Sequence, residues 1–395
     1  MKLKRIVEDF RVEEQISLVP GAGPFGLYRL TKQSLGTPEA LDAIVSRWKL
    51  RRSGVAFAGL KDKHALTTQF VTIAGGPRRG LEQTNLSLQY VGQAERPIHA
   101  SDIATNRFEV VIRDLVPNDV ASAVQAIESI ATDGCPNYFD NQRFGSLGES
   151  SEFIAKPWCL GDYERTVWLA VADGNVHDRP ADRDAKRVLR DHWGDWSTCV
   201  NKLRPGLQKD VAANLARNPT DFRRAITILP HDLRSLWLAA FQSHLWNQVL
   251  AASISQVCRP EQCLPHTIGG RQVPFFLELD ASQRSRLHAQ LLPLPSARLH
   301  LDDSPLKSLY GQTLAAEGLE LRQIRVKYPR DTFFSKGDRP GVFKPGEFSH
   351  ALAADDLYPA SQKLTLRFTL PRASYATILV KRLAGPSADV LADEP

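Results

Sequence analysis

The chain holds only five cysteines, at 135, 159, 199, 258 and 263, an odd number with no Cys-x-x-Cys pair. That pattern argues against a disulfide framework and for a reducing compartment. No apolar run approaches the ~18–20 residues of a membrane span. The opening Met-Lys-Leu-Lys-Arg-Ile meets charge before a signal-peptide core can form. No Walker loop is present, so a nucleotide cofactor has no support. The ten histidines are scattered, without His-x-x-x-His or His/Cys ligand spacing, and no metal is expected. Charge of one sign is also scarce in excess: 50 Lys+Arg against 44 Asp+Glu gives a net +6. Such a surplus permits a polyanionic partner without demanding one. What is present is 395 residues with 43% hydrophobic content, enough for two or three cores. The expectation is a soluble, cytoplasmic, monomeric protein.

The first 115 residues read as mixed α/β. Leu27-Tyr28-Arg29-Leu30 alternates as a strand. From Thr37 to Leu50, apolar residues at 41, 44, 45 and 48 recur at helical spacing, with Thr37 as the expected N-cap and Pro38 at the first helical position. Val55–Ala58, Phe70–Ile73 and Arg107–Arg113 read as strands with short links, which predicts a largely antiparallel sheet. Residues 118–132 predict an amphipathic helix ending near Gly134. From about 155, tryptophans cluster and helical patterns dominate at 182–193, 207–217 and 232–257, whereas 259–305 has little periodicity. Strand character returns at Lys363–Leu370 and Ala376–Leu379. The expected fold class is α+β: a sheet domain from 1–154 and 331–384, interrupted by a mostly helical α/β insertion at 155–330, with a disordered tail at 385–395.

Three stretches compete as carriers of chemistry. Lys61-Asp62-Lys63 holds one carboxylate between two cations on a polar turn. Its plain reading is an exposed hairpin tip, the commoner outcome on composition alone. Its functional reading is a carboxylate kept ionised by flanking cations and available as a nucleophile. The loop Asn137–Gly145 combines two phenylalanines, a tyrosine, two amides and an arginine, the parts needed to hydrogen-bond a base edge and stack on its face. Packing beneath the insertion would explain the same residues equally well. The third stretch, Leu370-Pro371-Arg372-Ala373-Ser374-Tyr375 through Lys381-Arg382, has no specificity by itself. His64 reads as a structural loop histidine. Ser243 and His244, adjacent on a helix, diverge around its axis and cannot pair as nucleophile and base.

Together these stretches resemble the TruD family of tRNA pseudouridine synthases. The match runs in family order: Glu8-Asp9-Phe10-Arg11-Val12-Glu13, Leu30-Thr31-Lys32, Gly59-Leu60-Lys61-Asp62-Lys63-His64-Ala65, Asn106-Arg107-Phe108 and Asn137-Tyr138-Phe139…Gln142-Arg143-Phe144-Gly145. Phe241-Gln242-Ser243…Trp246-Asn247 and Leu370-Pro371…Ser374-Tyr375-Ala376-Thr377 follow. The resemblance implies a pseudouridine synthase-like catalytic domain that isomerises a uridine in tRNA, expected at position 13, without cofactor or metal. It implies Asp62 as the nucleophile and Phe10, Asn137 and Tyr375 as contacts to the target uridine. It places Phe139 where the family stacks on the base, Lys4 near the substrate, and Lys381 where a basic residue pairs with the aspartate. Asp140, Ala373 and Lys381 depart from the family's usual Gly, Gly and Arg. Ala373 is expected to turn without a positive φ. Lys381 would replace a planar fork with a single ammonium.

Uridine isomerisation breaks the N1–C1′ bond, turns the base and rejoins it through C5, with no net redox change or hydrolysis. The carboxylate could act at C6, at C1′ or through a glycal. Arg51-Arg52, Arg78-Arg79 and Arg322…Arg325…Lys327…Arg330 are candidates for phosphate contact, though a solvated face is the commoner reading of each, because isolated surface bases are common. A non-catalytic RNA-binding protein is the rival and leaves Asp62 without a task. A glycosidase would need a second working carboxylate.

Overall fold

The computed structural model describes residues 1–301 and 305–385. It divides into two units, Met1–Cys135 with the chain from Val342 onward, and Pro136–Gly341. The breaks thus fall at 135 and 341 rather than the expected 154 and 331, and the Asn137–Gly145 loop belongs to the second unit. The tail expected at 385–395 lies outside the described residues, apart from Gly385, the C-cap of the helix Ala376–Ala384.

The first unit is a twisted sheet backed by helices. Its elements begin with β1 (Lys2–Leu3), β2 (Phe10–Ile16), β3 (Phe25–Gln33), α1 (Thr37–Trp48), β4 (Val55–Phe57) and β5 (Leu66–Ala74). They continue through β6 (Leu81–Gln83), β7 (Leu86–Ala94), β8 (Ile103–Leu115) and α2 (Pro117–Asp133), then the strands Gly346–Ala354 and Gln362–Pro371. Across the sheet the order is Gly346–Ala354, Gln362–Pro371, β8, β2, β5, β3, β7, β6, with β1 also on β8 and β4 also on β5. β2 and β5 run parallel, and the other described pairings are antiparallel. Period-2 alternation places Tyr28 and Leu30 of β3 on the face that meets Leu41 and Ile44 of α1. Leu41 and Ile44 are fully buried, each worth ~2 kcal/mol of hydrophobic burial. α2 ends at Gly134, whose φ of 76° and lack of Cβ are both required, because a Cβ would sit 2.4 Å from the Phe343 carbonyl oxygen.

Two local expectations change. The N-cap of α1 is Gly36, and Thr37 is already helical, which frees its hydroxyl for other partners. Ala376–Leu379 is not a strand but the start of the helix Ala376–Ala384. Ala376, Leu379, Val380 and Leu383 recur at i, i+3, i+4 and i+7 and are all buried, the signature of a helix face. The string Gly21-Ala22-Gly23-Pro24-Phe25-Gly26 fits Gly-x-Gly-x-x-Gly by letter, but it leads into β3 and not from a strand into a helix. It lacks the context a dinucleotide site needs.

The second unit is mostly helical, built around His231–Val257, whose Trp237, Phe241, Leu245 and Trp246 are buried on several sides. Asp162, Asp195, Asp221 and Asp280 each cap a helix by accepting a backbone N–H. Within the stretch 259–305, residues 259–301 are more ordered than their composition suggests. Cys263–Ile268 and Arg271–Phe276 form a hairpin whose Gly269 and Gly270 both take positive φ, the requirement of a tight two-residue turn. Among the described residues, no helix is long and apolar enough to cross a membrane, and no group of three or more His, Cys, Asp or Glu could hold a metal. All five cysteines are free thiols.

Candidate active site

The Asp62 turn lies between β4 and β5 and is tied down by buried polar groups on four elements, β2, β3, α1 and β5. Lys61 Nζ pairs with Glu14 Oε2 at 2.5 Å, with side-chain exposures of 9% and 0%. Glu14 Oε1 also accepts the Phe70 N–H. The Thr37 hydroxyl, released from capping α1, accepts the Lys61 N–H at 3.1 Å and donates to Gln69 Oε1 at 2.8 Å. Gln69 in turn donates to the Gly59 carbonyl. Lys32 of β3, fully buried, donates from Nζ to the carbonyls of Asp62 (2.8 Å) and Lys61 (3.3 Å). Burial lowers its ammonium to about 8, against the opposing pull of the Asp62 and Glu39 carboxylates. Lys61 is therefore occupied by Glu14, while Lys63 and His64 are exposed. The plain reading of a merely solvated turn does not describe this loop.

A cation reaches Asp62 from the N-terminus: Lys4 Nζ lies 3.6 Å from Asp62 Oδ2 and 4.7 Å from the Phe10 ring centroid. The Lys4 backbone is left-handed (φ 53°), a conformation that costs a non-glycine residue ~1–2 kcal/mol. Asp9 holds the turn in place. Its Oδ2 accepts the N–H groups of Arg5 and Ile6, and its carboxylate takes Arg113 Nε at 2.9 Å. Arg113 Nη1 also reaches Asp355 and Asp356, both at 2.9 Å. Burial pushes the Asp355 carboxyl up, but N–H donors from Asp114 and Leu357, with Arg113, outweigh it and hold it below the usual range. The structure thus brings Lys4, Phe10 and Asp62 together.

Tyr375 and Lys381 belong to the same unit: Tyr375 is the N-cap residue of Ala376–Ala384, and Lys381 lies in its last turn, both half-buried. The preceding turn corrects one expectation, for Ala373 does take a positive φ of 63°. The Ser374 N–H closes that turn onto the Pro371 carbonyl. The chain accepts the Cβ strain where a glycine would have none.

In the second unit, Asn137 and Phe139 are buried and organised by a residue that sequence reasoning missed, Arg339. Its guanidinium donates to the Asn137 carbonyl at 2.7 Å and to Asn137 Oδ1 at 2.8 Å, while Asn137 Nδ2 donates to the Pro340 carbonyl. The same guanidinium lies 4.1 Å from the Phe139 ring centroid, with that of Arg143 at 5.6 Å. Asn247 clasps the Phe139 backbone, accepting its N–H and donating to its carbonyl. Asp140, unusual for the resemblance, caps the short helical turn that follows by accepting the Asn141 N–H. Ser243 accepts from Arg143, whereas His244 pairs with Glu317 at 3.0 Å, so the two side chains serve separate partners. Among the basic stretches, Arg52 pairs with Asp42 and Arg322 with Glu320, while Arg78, Arg79, Arg325, Lys327 and Arg330 are exposed.

Comparisons with known proteins agree over nearly the whole chain. The family model described as "tRNA pseudouridine synthase D (TruD)" matches residues 1–383. A curated relative from Methanococcus maripaludis, "Probable tRNA pseudouridine synthase D 1", is 27% identical, covering 97% of this chain and 99% of its own. "tRNA pseudouridine synthase D" of Leptospira interrogans is 28% identical over 96% of this chain and 95% of its own. A TruD crystal structure from Methanosarcina mazei superposes with a TM-score of 0.72 at 21% identity, covering 97% of this chain and 93% of that one, and shares the fold. The chain belongs to the tRNA pseudouridine synthase D family.

Proposed function

We propose that the protein is an isomerase converting a uridine of tRNA to pseudouridine, with uridine-13 as the target and the Asp62 carboxylate at the reacting centre. The observation that carries this reading is the held carboxylate: Asp62 half-exposed on a loop tied from below, with Lys4 and Phe10 beside it.

The reaction has to cleave N1–C1′, hold the free uracil while it turns, and form C5–C1′. The proton leaving C5 balances the one gained at N1. Asp62 supplies the lone pair that attacks C1′ or C6, or takes the C2′ proton on a glycal route. In each case the same carboxylate faces the ribose–base junction. Lys4 offers a cation where negative charge moves on and off that carboxylate. Phe10 and Tyr375 would contact the uridine, Phe139 would stack on the base, and Asn137 would hydrogen-bond its edge, replacing the stacking and pairing lost when the nucleotide is extruded. Lys381 would complete the charge near the aspartate. Arg339 and Asn247 set the positions of Asn137 and Phe139.

The test is to incubate total tRNA with purified protein and map pseudouridine by carbodiimide-dependent reverse-transcription stops. New stops at position 13 are expected. Stops elsewhere would keep the chemistry and replace the target, and binding without any new stop would leave a non-catalytic RNA-binding protein.

A further inference from the structure

We propose that Lys32 is a positioning residue for Asp62: its buried ammonium holds the carbonyls of Lys61 and Asp62 and thereby fixes the direction of the Asp62 carboxylate. The proposal rests on the reading of Asp62 as the reacting carboxylate and adds the device that aims it.

Lysine is almost never fully buried without a reason. Lys32 is 1% exposed, on the inward face of β3 in line with Tyr28 and Leu30, where a hydrophobic side chain would be the ordinary choice. Its strand neighbours opposite are Thr67 on β5 and Leu86 on β7, neither charged. The charged groups that act on its ammonium are Asp62 and Lys61 on the loop and Glu39 on α1. Nζ donates to two successive carbonyls, at 2.8 and 3.3 Å, and those flank the Cα from which the Asp62 side chain departs. Two charge-assisted hydrogen bonds to adjacent peptide planes fix the rotation of the backbone at Asp62. The other loop ties, Glu14 to Lys61 and Thr37 to the Lys61 N–H, act one residue earlier and leave that rotation free. A side chain that aims a reacting group contributes to catalysis through geometry, and a misplacement of about 1 Å costs on the order of 100-fold in rate.

Lys32→Met keeps length and removes the donors. Expected for K32M is a kcat lower by about 100-fold, with RNA affinity and KM within about 3-fold and faster amide exchange confined to residues 58–65. A kcat within about 3-fold of wild type overturns the proposal. So does faster exchange spread evenly through the first unit, which marks a structural role alone. Because K32M can fail to fold, a second measurement leaves Lys32 intact: 13Cε-labelled lysine is titrated in wild-type protein and in Asp62→Asn. One lysine titrating at about 8 in wild type and lower in D62N is expected, since the Asp62 carboxylate favours the charged ammonium. No lysine titrating below 10, or a midpoint unmoved in D62N, overturns the proposal. The failures separate: pseudouridine formation by D62N would remove the role given to Asp62, while the lysine titration would still report the Lys32 contact.

Discussion

Replacing Glu14 with glutamine removes the charge that holds Lys61, and the structure sets the scale of the damage. The pair is 2.5 Å apart, with side-chain exposures of 0% for Glu14 and 9% for Lys61, so solvent screens it little. Breaking one partner of a buried pair leaves an uncompensated charge and costs ~3–5 kcal/mol, whereas removing both is often near neutral. Glu14→Gln and Lys61→Met should therefore each lower the stability of the first unit by ~3 kcal/mol or more, and E14Q/K61M by less than either alone. Urea unfolding of the four proteins gives the coupling directly, read from the transition in which the first unit unfolds, because the chain has two units. E14Q should also slow pseudouridine formation, since Lys61 is the residue before Asp62. Single-mutant costs below ~1 kcal/mol with additive effects would refute the view that the loop is anchored by a buried ion pair.

Arg113→Met leaves the buried carboxylates of Asp9 and Asp355 without their shared cation, and urea unfolding should register a loss of ~3–5 kcal/mol. Acid stability has a signature at Asp102, held at about 2 by hydrogen bonds from Arg96. A depressed carboxyl stabilises the fold above its unfolded value near ~4, and that contribution disappears as pH falls toward about 2. Because Arg96 is 50% exposed, screening keeps the effect small, and Arg96→Met should make the fall of the melting temperature between pH 4 and pH 2 shallower. Asn247→Leu removes both hydrogen bonds that clasp the Phe139 backbone and should lower kcat about tenfold while costing ~2 kcal/mol of stability, measured by single-turnover conversion and thermal melting.

Strand alternation made β3, β5 and β8 readable because each buries one face, and the helical period made α1 and α2 readable for the same reason. The strand Gly346–Ala354 gave no such signal because its residues are largely exposed at the edge of the sheet. The hairpin at 263–276 was hidden by its prolines and histidine, although Gly269-Gly270 marked the turn. Lys32 and Glu14 were legible in principle, since each sits two residues beyond an inward-facing hydrophobic residue on its own strand, at Leu30 and Val12. Charged residues in register with a buried face signal a buried polar contact. Arg339 left no local trace: it meets Asn137 across 202 residues, a distance that pattern and spacing do not cross. The cation against Asp62 likewise came from a distant turn, at Lys4, while one of its two flanking lysines is committed to Glu14.

The most direct measurement of the central claim is the conversion of tRNA uridine by Asp62→Asn, with RNA affinity measured alongside. Asparagine keeps the shape of the side chain and removes the carboxylate, so pseudouridine formation should fall to background while binding stays within a few-fold of wild type. Pseudouridine formed by D62N at a rate near that of the wild-type protein would contradict the account.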